Sequence, residues 1–177
     1  MFNQFLSALL TPDTLINFGF WLVVLALLRK KFAAALNTTL LRAILAGVAV
    51  AGVLAFTVRV FSTYTFSTSY WLFSPMMWGG AFDVFSGNWI LNFALFVPAG
   101  FALTFSGRGY LQSFLFLSLL SLGIECLQFW ARSGIADPAD FMSNSAGAAG
   151  GVLIGSLVLR LIRRSKVGSQ QRLDQTI

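Results

Sequence analysis

Residues 141–162 read FMSNSAGAAGGVLIGSLVLRLI and run directly into Arg163-Arg164-Ser165-Lys166. An apolar helix needs ~20 residues to cross the ~30 Å hydrocarbon layer of a bilayer. This run meets that length, carries Arg160 as its one charged residue, and stops at a basic cluster. Gly147, Gly151 and Gly155 recur every four residues within it. That spacing lays a smooth strip along one helical face, on which a second helix can approach closely.

Four further runs of the same kind lie upstream. They cover roughly Thr14–Leu28, Leu40–Phe61, Trp89–Phe105 and Leu111–Trp130, and the first ends in Arg29-Lys30-Lys31. The first and third are short and would draw on flanking residues or local bilayer thinning. The fold class expected is all-α: a polytopic transmembrane helix bundle of about five spans, with an interfacial or re-entrant external segment. Composition agrees. The chain of 177 residues is 57% hydrophobic and 10% charged, with a mean hydropathy of +0.79. Soluble domains carry about 25% charged residues. A domain this small cannot bury so much apolar surface within itself, so lipid is the expected solvent.

The net charge of +6 follows the span ends and forms no face suited to a phosphate backbone, which argues against a nucleic-acid partner. Arg29, Lys30, Lys31, Arg42, Arg108, Arg160, Arg163, Arg164, Lys166 and Arg172 fall on one side of a five-span chain. Arg59 and Arg132 fall on the other. The positive-inside rule makes the first side cytoplasmic, with the amino end outside and the carboxyl end inside. The acids divide the opposite way, with only Asp174 inside. Met1-Phe2-Asn3-Gln4 carries no positive charge and the basic cluster follows the first run, so a retained span is expected in place of a cleaved signal. One transmembrane domain is expected over residues 1–167, then a mobile cytoplasmic tail from Gly168 to Ile177. Residues 62–88 are external and rich in aromatic side chains. An interfacial or re-entrant stretch is expected at Trp71–Phe85, broken by Pro75 and Gly79-Gly80.

The chain has no histidine, and Cys126 is its one cysteine. Histidine-based triads, His-ligated zinc and haem, and intrachain disulfides are thereby excluded. Any catalysis must use carboxylates, Arg, hydroxyls or Cys126. Attention then falls on polar residues inside the apolar runs, where an ionisable side chain costs at least ~2.5–3.5 kcal/mol. Glu125, Gln128 and Arg132 share one helical face by spacing. Asp137-Pro138 suits a helix cap with proline at the first position. Asp140 and Asn144 follow on one face, and Asn92 lies in the third run ahead of Pro98, which should kink it. Each has a plain structural explanation alone: an ion pair, a cap, an interhelical hydrogen bond. Seven such residues from three spans, all expected at one depth, read as a site.

These residues resemble the VanZ-like family of small bacterial membrane proteins. The matching stretches are Asn92-x-x-x-Phe96-Val97-Pro98-x-Gly100-Phe101, Glu125-x-x-Gln128, Arg132-Ser133, and Asp137-x-x-Asp140-x-x-x-Asn144-x-x-Gly147. They cover about residues 88–155. The Arg132-to-Asp137 interval is longer than the usual pattern, and the amino-terminal half shows no motif. The resemblance implies a bacterial cytoplasmic-membrane protein of the cell envelope, from a family named for teicoplanin resistance.

Three functions fit this pattern. The first is an intramembrane enzyme acting on a lipid or lipid-linked envelope substrate. Glu125 and Asp140 would be its catalytic acid and base, with Asn92, Gln128, Arg132, Asp137 and Asn144 binding substrate. The clustered acids could instead hold a divalent cation, Mg²⁺ or Ca²⁺, through oxygen ligands. The second is a non-catalytic binder or scaffold for a lipid-linked precursor or an envelope protein. The third is a transporter or flippase, for which a homodimer could form the path.

Overall fold

The computed structural model describes residues 11–36, 38–58, 86–131 and 137–174. They form five helices: α1 (Pro12–Leu36), α2 (Leu40–Thr57), α3 (Gly87–Phe105), α4 (Tyr110–Ala131) and α5 (Pro138–Asp174). Each contains a stretch long and apolar enough to cross a membrane. No strand occurs among the described residues. The expected all-α bundle of five spans is the architecture found. Trp71–Phe85, Arg59 and Arg132 lie outside the described residues. α5 continues as helix through Gly168 into the polar tail.

Local chemistry sets the helix boundaries. Ser86 caps α3, its hydroxyl accepting from the Trp89 amide at 3.3 Å. Asp137 caps α5 in the same way, its Oδ1 accepting from the Ala139 amide at 2.8 Å, with Pro138 in the first helical position. The turn into α4 passes through Gly107 at φ +102°, a backbone region that favours glycine. Pro98 is accommodated inside α3, which remains one continuous helix.

Contacts between helix ends fix their directions. Thr14 at the start of α1 and Phe56 at the end of α2 line one cavity. Gln128 near the end of α4 bonds Thr57 at the end of α2. Asn92 near the start of α3 bonds Asp140 at the start of α5. The chain therefore reverses at every helix. Asp13, Glu125, Asp137 and Asp140 gather towards one end. Arg29, Lys30, Lys31, Arg42, Arg108 and the arginines of α5 lie towards the other, the basic end.

α3 and α5 run parallel and form the most extensive pairing. The glycine strip faces α3. A Cβ at Gly147 would overlap the Phe93 carbonyl oxygen, and one at Gly151 the Val97 carbonyl oxygen. At Gly155 it would lie 3.1 Å from the Phe101 carbonyl oxygen. α3 reciprocates with Gly100, whose missing side chain makes room for the Ala148 backbone. Phe96, Ala99 and Leu103 of α3 are buried with Val53 of α2, Leu117 of α4 and Ala148 of α5. Large apolar side chains such as Leu119, Leu153 and Trp130 point outward, as expected where lipid takes the place of water. α1 is peripheral: Asn17 is its one buried residue among those described.

Candidate functional site

The close α3–α5 pairing brings the second turn of α3 against the first turn of α5 at the acidic end. There the Asn92 amide nitrogen donates to Asp140 Oδ1 at 2.5 Å. α4 reaches the same level from the opposite direction. Its Glu125 is 2% exposed, and Oε2 accepts from the Asp137 backbone amide at 3.0 Å. Asp137 thus serves the site through its amide, since its carboxylate is occupied in capping α5. The Asp140 and Asp137 carboxylates both lie close enough to act on Glu125 electrostatically, and Asp137 acts on Asp140 as well.

One turn deeper, Asn144 of α5 donates through its amide nitrogen to the Ser121 hydroxyl of α4 at 2.9 Å. Ser121 lies four residues before Glu125 and Asn144 four after Asp140. This second contact therefore sits directly below the carboxylates on the same two helices. Both side chains are buried, and Asn144 Oδ1 has no hydrogen-bond partner. A buried acceptor left unpaired costs about 1–3 kcal/mol, so natural proteins keep few of them. Ser145 and Ser118 nearby also carry buried hydroxyls without partners.

Five of the seven residues singled out from the sequence therefore meet at one end of the bundle: Asn92, Glu125, Asp137, Asp140 and Asn144. Gln128 lies one turn beyond Glu125 but turns to α2, its Nε2 donating to the Thr57 carbonyl at 2.9 Å. It satisfies a carbonyl of the last turn of α2, which has no partner within that helix. Arg132 lies outside the described residues. Ser121 is a member that sequence reasoning missed. A serine inside a helix ordinarily bonds its own backbone, as Ser156 does to the Val152 carbonyl at 2.6 Å. The one available signal was the four-residue interval between Ser121 and Glu125.

The arrangement supplies one buried and one half-buried carboxyl group from different helices, each held by a neutral N–H donor. It also leaves an unpaired amide oxygen beneath them. Chemically, it can exchange protons with a polar group or accept hydrogen bonds from one. Among the described residues, no three acidic or thiol side chains are grouped to hold a metal ion.

A family model described as VanZ/LLP1 matches residues 18–160. It takes in most of the chain, including α2 and most of α1, where the sequence offers no motif of its own. No curated protein and no solved structure matches the chain.

Proposed function

The chain belongs to the VanZ/LLP1 family and is a multi-pass membrane protein, and from that premise we propose that it acts on the polar head of a lipid or lipid-linked cell-envelope component. The basic end is cytoplasmic by the positive-inside rule. The polar cluster then sits in the outer leaflet of the bacterial cytoplasmic membrane, with the amino terminus outside. A lipid head group diffusing in that leaflet enters at its own depth.

In this reading Glu125 and Asp140 serve as acid and base. Two carboxyl groups in unlike environments can divide those roles. Glu125 is wholly buried against α5 and committed through Oε2 to a backbone amide. Asp140 is half-buried and bonded to Asn92. Glu125 Oε1 is the oxygen left to meet the head group. Asn92 orients Asp140, and Asn144 Oδ1 accepts from a donor on the ligand. Arg132 supplies a cation for a phosphate or carboxylate. The observation that carries the reading is the buried, unpaired Asn144 oxygen one turn below the two carboxyl groups, which leaves hydrogen-bonding capacity for a ligand to use.

Envelope lipids extracted from cells expressing the wild-type chain, Glu125→Gln or Asp140→Asn, at equal membrane abundance, test this by mass spectrometry. A lipid species altered by the wild type and by neither variant is the expected result. An effect that grows in proportion to the amount of protein, with no altered lipid, assigns the cluster to binding. Wild-type behaviour in both variants contradicts the reading altogether.

A further inference from the structure

A second feature lies at the opposite end of the bundle, away from the polar cluster. α1 and α2 are joined by a three-residue link, and a groove of about 310 Å³ lies between them. Its walls are aliphatic: Leu22, Leu25 and Ala26 from α1, with Ala43 and Gly47 from α2. Ile44 and Val48, which complete the α2 wall, are 43% and 44% exposed. The groove therefore opens onto the outer surface of the bundle, where hydrocarbon lies.

One lining residue is charged. Arg29 stands at the basic end of the groove and bonds the Ala26 carbonyl through one nitrogen at 2.6 Å. A guanidinium has five N–H donors in a planar fork, and this bond uses one of them. Lys30 and Lys31 follow it. Arg42 across the link is engaged elsewhere, 5.6 Å over the Phe105 ring. From Thr14 to Val58 the sequence contains no acidic residue. An apolar trough with a cation at its end complements a molecule with a hydrocarbon tail and a phosphate head. Basic pockets between spanning helices hold anionic lipid head groups in this way.

We infer that the groove between α1 and α2 binds one anionic glycerophospholipid from the leaflet at the basic end. An acyl chain lies between the two helices and the phosphate meets the Arg29 guanidinium. The lipid joins α1 to the bundle, which is consistent with how little of α1 is buried against protein.

The test is native mass spectrometry of the full-length protein in detergent, titrated with phosphatidylglycerol or with phosphatidylcholine of identical acyl chains. The wild type is expected to hold one phosphatidylglycerol several-fold more tightly than phosphatidylcholine. Arg29→Gln should weaken phosphatidylglycerol about fivefold, the effect of one basic residue near a lipid phosphate, and leave phosphatidylcholine unchanged. Ala26→Trp fills the groove from an exposed position and should weaken both lipids. Lys30→Gln with Lys31→Gln should change binding less than twofold. Equal affinity of the wild type for the two lipids overturns the inference. So does a loss in the lysine variant matching that in Arg29→Gln, which would reveal diffuse surface attraction. Should Ala26→Trp fail to fold, Arg29→Gln alone decides.

Discussion

Gly151→Ala perturbs the contact on which the candidate site is built. A Cβ there would overlap the Val97 carbonyl oxygen and lie 2.8 Å from the Phe101 nitrogen. Ordinary contact begins near 3.4 Å, so the helices must part by at least about 0.6 Å, and further at the carbonyl. Backbone lines the contact, so no side chain can rotate away. Overpacking of this kind costs about 1–3 kcal/mol, and parting α3 from α5 also draws Asn92 from Asp140. The expected destabilisation is therefore about 2 kcal/mol or more. Thermal or denaturant unfolding in detergent measures it against two controls. Gly19 has nothing within 4 Å of its notional Cβ, and at Gly150 the nearest atom is the Phe93 ring at 3.5 Å. Alanine is the better helix former, so with no crowding both alanine variants should equal wild type or exceed it by up to about 1 kcal/mol. Gly151→Ala unfolding with these controls would refute the close α3–α5 pairing.

Further expectations concern single contacts. Asn144→Ala and Ser121→Ala should couple by about 0.6 kcal/mol in a double-mutant cycle, the mean for hydrogen bonds between membrane helices; additive effects would place the two side chains apart. Asp137→Ala should cost about 1 kcal/mol through loss of the α5 cap, and Asp137→Asn much less, since asparagine caps equally well; equal losses in unfolding experiments would deny that role. Gln128→Ala should cost about 1 kcal/mol by leaving the Thr57 carbonyl without its donor and should speed amide exchange in the last turn of α2. Unchanged exchange there would show that the bond does not hold α2.

Membrane residence, the number of spans and the reversal of direction at each helix were legible because they follow from run length and charge position. The glycine strip was legible as a packing surface but not its partner. Spacing on α5 says that some helix comes close, and nothing in it selects α3 over α4. Asn92, Glu125, Asp140 and Asn144 stood out because polar groups in apolar runs need a reason. The details of their pairing were hidden for three physical reasons. Asp137 contributes a backbone amide, which residue type does not announce. Gln128 shares the face of Glu125, yet its long side chain reaches another helix. Ser121 resembles any helical serine until Asn144 is placed beside it. The grooves around α1 arise from how its side chains meet those of α2, and hydropathy alone does not record packing.

The central claim is that side chains from α3, α4 and α5 act together at the acidic end. The envelope-lipid composition of expressing cells, read by mass spectrometry, tests it most directly. The strains would express the wild type, Glu125→Gln, Asp140→Asn or the packing control Gly19→Ala at matched membrane abundance. A lipid species altered by the wild type and Gly19→Ala, and by neither carboxyl variant, is the predicted outcome. The same alteration in Glu125→Gln and Asp140→Asn would contradict it.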